Sequence, residues 1–173
     1  MSPGDEIVDV VDEHDRVTGQ VTRREMRAGG LRHRAVYILV FNSRGQLFVH
    51  KRTATKDVYP SHYDVTVGGV LAAGEGYEAG AGRELEEELG VQAGLRRLFD
   101  LRYSEERMAV NGVVFSCTCD GPFRLQASEV ESGRFMDLVE AIELTQHEPF
   151  CPDGIEALRL YLDRLDEASR RRR

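Results

Sequence analysis

From Gly68 to Val91 the chain reads GGVLAAGEGYEAGAGRELEEELGV. A short alternating segment, Tyr63 to Val67, leads into Gly68-Gly69. An acidic helical pattern follows over Tyr77 to Leu89, closed by Gly90, a residue suited to a helix C-terminus. No other stretch narrows the fold as much. At about 100° per residue, Ala81, Leu85 and Leu89 fall on one stripe that must meet a core. Glu84 and Glu88 stand one turn apart beside that stripe, Glu87 lies on the outer side of the same patch, and Glu86 points away to solvent. Gly80 is expected on the acidic face, where an approaching ligand would explain a mid-helix glycine that costs roughly 1 kcal/mol against alanine. Gly82 is expected near the apolar stripe, packed closely on a sheet.

Three convergent carboxylates repel one another and raise their own pKa values unless a cation sits among them. A hard divalent cation such as Mg²⁺ takes oxygen ligands of this kind together with phosphate oxygens. A solvated helix balanced by Arg83 would account for the triplet alone equally well. The spacing around it decides. Gly69, Glu75 after five residues, Arg83-Glu84 after seven more, then Leu85, Glu87-Glu88, Gly90 and Val91 spell G-x5-E-x7-R-E-U-x-E-E-x-G-U, with U aliphatic. This resembles the Nudix box at every defined position, and a strand-loop-helix context is the one that box requires.

The resemblance implies a hydrolase of a nucleoside diphosphate linked to another group, dependent on Mg²⁺ or Mn²⁺. It implies Glu84 and Glu88 as the leading metal ligands, with Glu87 as a third ligand or the holder of a bridging water. The backbone carbonyl of Gly68 or Gly69 would complete the site, and Glu75 and Arg83 would support the loop and helix. Water would attack phosphorus, positioned or deprotonated by a carboxylate. That base is Glu87 in the box or Glu129 in Ser128-Glu-Val-Glu131, with Glu105, Glu106 and Glu131 as further candidates. Arg52 and Lys51, with Lys56, are candidates to meet substrate phosphates, and Tyr59, Tyr63 or Phe115 to stack a base. Core packing is the plain reading of each aromatic.

From Ile7 to Leu165 the chain also resembles the branch of the family that contains type I isopentenyl diphosphate isomerase. Val8 to Arg24, His33-Arg-Ala-Val36, Phe41-Asn42, Lys51-Arg52 and Tyr59-Pro60 carry that likeness. The isomerase keeps a cysteine and a histidine where this chain has Gly68 and Val70. It keeps a glutamate pair where this chain has Val110 and Gly112. Only His33 matches a metal-binding histidine of the isomerase. Hydrolysis of a small diphosphate, a nucleotide or a relative, is therefore the expectation. An isomerase-like enzyme and a non-catalytic nucleotide sensor are the alternatives.

The rest of the chain fits one domain over residues 1–173, with 1–6 and 167–173 expected to be flexible. Ile7 to Val11 and Val17 to Val21 read as a hairpin, an available dimer element. Ala35 to Phe41, Gln46 to Lys51, Leu95 to Tyr103, Val110 to Thr118 and Arg134 to Met136 read as strands. Leu138 to Leu144 and Pro152 to Leu165 read as helices, the latter with Ile155, Leu158, Tyr161, Leu162 and Leu165 on one side. The class is α+β, a Nudix-type α/β/α sandwich with a mixed sheet. A net charge of −7 argues against a stable nucleic-acid partner. Apolar runs too short for a bilayer, no secretory signal and an odd count of three cysteines point to a cytoplasmic protein without a membrane partner.

Overall fold

A computed structural model describes residues 2–171. The hairpin forms as expected, with β1 (Ile7–Val11) antiparallel to β2 (Val17–Thr22). Its turn is held by the Asp12 carboxylate, which accepts from the amides of His14 and Arg16 at 2.8 and 3.0 Å. At the centre of the sheet, β3 (Arg32–Phe41) runs parallel to β7 (Met108–Thr118), from Arg32 opposite Ala109 to Phe41 opposite Thr118. The other pairings are antiparallel: β1 and β4 (Leu47–Arg52) to β3, β6 (Arg96–Glu105) to β7, and β5 (Tyr63–Asp64) and β8 (Val130–Met136) to β4.

β3 reads as an unbroken apolar run because both of its faces are covered. Val36, Ile38 and Val40 meet α2 (Tyr77–Leu89), whose Ala81, Leu85 and Leu89 are buried with Val113 and Phe115. Tyr37 and Leu39 point the other way, into a second cluster with Leu101, Val114, Ala141 of α3 (Leu138–Leu144) and Ala157 and Leu158 of α4 (Pro152–Arg170). This is the expected α/β/α sandwich with a mixed sheet.

Several elements differ from the expectation. Strand β5 is only two residues long, because Val67 leaves it to bridge Ile38 of β3. β8 starts at Val130, which places Glu131 inside the strand and leaves Glu129 just before it. α4 continues past Leu165, whose side chain has run off the sheet and is exposed; Arg170 pairs with Asp166 on this last stretch. An additional helix, α1 (Arg23–Gly29), follows β2. Its signals are brief: a capping box of Thr22 and Glu25, and Gly30 in the left-handed conformation at its end. Within the segments expected to be flexible, Pro3–Asp5 forms a short 3-10 turn and residues 167–170 belong to α4. Met1, Arg172 and Arg173 lie outside the described residues.

The two helix glycines exchange the roles expected of them. A Cβ on Gly80 would overlap the side chain of Leu71, whereas Gly82 faces open space. Gly80 is thus required by the loop packed under the helix, not by a ligand. Among the described residues, Cys117, Cys119 and Cys151 are free thiols, and no helix is long and apolar enough to cross a membrane.

Candidate active site

The acidic helix and the sheet are brought together by the glycine pair. Gly68 has φ +150°, and a Cβ there would overlap the Val36 carbonyl. The chain is pressed against β3 at this point: the Ile38 amide donates to the Val67 carbonyl at 2.7 Å and the Val36 amide to the Gly69 carbonyl at 3.0 Å. On Gly69, a Cβ would stand 2.8 Å from Oε1 of Glu84. The loop backbone therefore runs between the sheet and a carboxylate of α2 with no room for a side chain.

Glu75 and Arg83 close that loop onto the helix. The Arg83 fork donates to both oxygens of Glu75, at 2.8 and 2.9 Å, and Glu75 also accepts from the Ala72 amide at 3.0 Å. Arg83 holds the Glu75 carboxyl below the usual range. The same guanidinium donates to Glu84 at 2.9 Å and to Glu87 at 3.1 Å.

Glu84 and Glu88 are buried, while Glu86 and Glu87 are exposed. Burial, then the neighbouring Glu84, pushes the Glu88 carboxyl up to about 8, against the pull of Lys56 and Arg52. Burial also raises Glu84, partly offset by Arg83. Oε2 of Glu88 has no hydrogen-bond partner among the described residues. Both glutamates border an open cleft of about 600 Å³, with Gly68, Gly69, Glu87 and Glu129 on its other walls. Glu129 is ion-paired with Lys56, and its loop is tied to the end of β4 by the Thr53 amide, which donates to the Glu129 carbonyl at 3.1 Å. Burial, then Arg52, pulls Lys56 down to about 8.

An unpartnered buried carboxylate is costly unless a cation joins it. The unpartnered oxygen of Glu88 and the buried carboxylate of Glu84 one turn away, beside a backbone that passes within contact distance, fit a hard divalent ion. Glu87 borders the same cleft but is exposed, and one nitrogen of Arg83 joins it to Glu84. Among the described residues no three His, Cys, Asp or Glu side chains form a ready metal cage.

The remaining candidates separate. Arg52 lines a smaller pocket of about 70 Å³ that shares Gly68 and Gly69 with the cleft. Lys51 lines neither cavity and pairs with Glu131 at 3.3 Å. Glu105 accepts from the hydroxyls of Tyr59 and Tyr103. Tyr63 stacks on Phe150 and Phe115 is buried in the core, so both pack rather than present a face. His33 lines the small pocket, donates or accepts with the Leu31 carbonyl at 2.9 Å, and is pulled down to about 4 by burial.

Sequence reasoning missed the other occupants of that small pocket. Arg23 and Arg27 come from α1, whose capping box was the available signal. Asp64 and Asp153 lie at its polar end. Asp64 accepts from the amide and hydroxyl of Thr66, both at 2.9 Å, and Asp153 accepts from the Tyr37 hydroxyl at 2.9 Å. Burial, then the charge of Asp153, raises Asp64 to about 6.

Comparison with known proteins gives a consistent result. Residues 31–159 match the NUDIX domain model. An uncharacterized Nudix hydrolase of Pseudomonas aeruginosa is 45% identical over 159 residues, covering 91% of this chain and 94% of that protein. The Nudix hydrolase YfcD of Escherichia coli K12 is 40% identical over 161 residues, covering 92% and 88%. The crystal structure of DR0079 from Deinococcus radiodurans superposes with a TM-score of 0.79 at 27% identity, covering 90% of this chain and 99% of that one. The Nudix domain of Shewanella oneidensis NrtR, solved with ADP ribose, superposes at 0.63 with 16% identity, covering 84% and 99%, a likeness of fold.

Proposed function

The chain belongs to the Nudix family of hydrolases acting on phosphoanhydride bonds, and on that premise we propose that it is a divalent-cation-dependent pyrophosphohydrolase of a small, nucleotide-like diphosphate. The family generally uses divalent metal ions. The observation that carries the reading is the buried Glu88, with an oxygen unpartnered among the described residues, facing the cleft beside Glu84.

Glu84 and Glu88 would hold the cation, Mg²⁺ or Mn²⁺. Of the two backbone carbonyls, that of Gly69 already accepts from Val36, which favours Gly68 as the further oxygen. When bound, the ion neutralises phosphate charge and makes water a stronger nucleophile. Glu87 lines the cleft and is the first candidate to take the proton of water. Glu129 borders the same cleft and is the second candidate to take the proton of water. A bound nucleotide in a protein of the same fold, ADP ribose in NrtR, supports a nucleotide-like substrate.

The likeness to the isomerase branch adds one geometric point. Of the five positions compared above, Gly68, Val70, Val110 and His33 line the small pocket, and Gly112 does not. Three of the four bring no acid or base to it, which supports hydrolysis over isomerisation.

The test is a panel of nucleotides and other diphosphates, with and without Mg²⁺ or Mn²⁺, on the unaltered protein and on Glu87→Gln and Glu88→Gln. Cation-dependent release of phosphate that Glu88→Gln abolishes is expected. Tight nucleotide binding without turnover would favour a sensor, and conversion of isopentenyl diphosphate would sink the proposal.

A further inference from the structure

The small pocket shares Gly68, Gly69, Arg23 and Lys56 with the acidic cleft, but its own lining is mainly basic. Arg23 and Arg27 of α1, Arg52 at the end of β4 and Lys56 just after it face two acids, Asp64 and Asp153. Among the lining residues four cations stand against two carboxylates, and of the four Lys56 is already ion-paired with Glu129. The arginines are poorly neutralised by their surroundings. Arg23 meets Glu6 at 3.4 Å, Arg27 reaches Asp57 only at 4.0 Å, and Arg52 donates to the Val58 carbonyl at 3.0 Å. The Nε atoms of all three are buried without a hydrogen-bond partner among the described residues. Buried donors are nearly always paired, so three in one wall call for an acceptor from outside the chain.

Size decides which acceptor fits. A water's share of liquid is about 30 Å³, and a cavity that takes a benzene ring is about 150 Å³. A pocket of about 70 Å³ has room for a phosphoryl-sized group and is smaller than a cavity that takes an aromatic ring. Guanidinium forks match phosphoryl oxygens in geometry as well as charge. Arg23 and Lys56 line both this pocket and the acidic cleft, so one ligand can span the two.

We propose that the pocket is the subsite for a terminal, unsubstituted phosphoryl group of the substrate, held by Arg23, Arg27, Arg52 and Lys56. Cleavage there rests on the hydrolase reading above; anion binding rests on the arginines alone. The phosphorus to be attacked lies over Glu84 and Glu88, and the rest of the substrate, base included, stays in the open cleft. Water adds to that phosphorus and its bond to the bridging oxygen breaks. The oxygen leaves with the electron pair on the phosphoryl in the pocket, and a carboxylate takes the water proton. A nucleoside diphosphate thus yields a monophosphate and inorganic phosphate. Diphosphates substituted at both ends, such as ADP ribose, cannot place a free phosphoryl in the pocket.

Two measurements test this. Calorimetry with inorganic phosphate and a chelator, so that no divalent ion contributes, reads the subsite directly. Arg27→Met and Arg52→Met should each weaken binding about tenfold or more. Arg97→Met, whose guanidinium pairs with Glu78 and Asp100 on the surface, should leave it unchanged. The second measurement needs no variant: with Mg²⁺, kcat/KM for a nucleoside diphosphate should exceed that for ADP ribose about a hundredfold or more. Phosphate binding that is equal in all variants, or a preference for ADP ribose, overturns the proposal. Arginine-dependent phosphate binding without turnover of either compound supports the subsite and refutes the hydrolase reading alone.

Discussion

α2 and α4 lie on opposite faces of one sheet, and each buries an apolar stripe on it. They treat their charges differently. On α4, Arg159 pairs with Glu156 and Asp163, and Arg170 with Asp166, all on the exposed side. Pairs of this kind contribute little to stability. α2 turns Glu84 and Glu88 inward and leaves one Glu88 oxygen without a partner among the described residues. A helix that only covered the sheet would gain from an apolar residue at either place. The difference separates an acid that keeps a helix soluble from one retained at a cost in stability for its chemistry.

The largest effect should follow from removing that acid. Glu88→Gln is expected to lower kcat about a thousandfold while the melting temperature of the metal-free protein holds or rises, because a neutral amide is easier to bury. A stable variant with nearly full activity would erase the distinction between the helices. The apolar stripes, by contrast, should behave alike. Leu85→Ala on α2 and Leu158→Ala on α4 should each cost about 3 kcal/mol in urea unfolding. A much smaller loss on one helix would show that its stripe is not a core.

α4 does carry one half-buried acid, Asp153, near the buried Asp64, and here pH sharpens the contrast. Burial raises both carboxyls above the value of about 3.8 they have when exposed, Asp64 to about 6. The stability this supports is complete below the unfolded value and is lost as pH rises through the folded one. Between pH 3.8 and about 6 Asp64 should therefore cost up to about 3 kcal/mol, and Asp153 acts in the same direction. Unfolding followed across that range should show a shallower fall for Asp64→Asn; an unchanged slope would exclude the pair as its source.

Smaller effects distinguish positions within α2. Gly82→Ala should stabilise by about 0.5–1 kcal/mol, the helix propensity of alanine in open space. Gly80→Ala should destabilise by about 1–3 kcal/mol as Leu71 is displaced. The same sign for both, in thermal unfolding, would contradict the packing described. At the low end, Arg159→Ala on α4 should produce no measurable change in melting temperature, since its partners are exposed.

Much of α2 was legible because the helical period, the stripe and the C-terminal glycine agree on one answer. Both of its ends, at Tyr77 and Leu89, fall where the pattern puts them. Spacing also located the buried acids, since an angle about a helix axis needs no knowledge of the rest of the fold. What lies opposite that angle was not legible. Gly80 and Gly82 exchanged roles because Leu71 returns from an earlier loop. Glu87 was placed with its neighbours and does border their cleft, but the nitrogen of Arg83 that it shares with Glu84 was not foreseen. The arginines of α1 and the Asp64–Asp153 pair meet only through tertiary contacts, which a seven-residue helix and a two-residue strand scarcely announce.

At Gly69 the carboxylate of Glu84 stands 2.8 Å from where a Cβ would begin. A codon change that adds even one methyl group at 69 would push aside an acid that the change itself leaves intact. Heredity writes the two residues at separate places in the chain, yet mutation meets them as a single character: the freedom to vary at one is set by what the other must do.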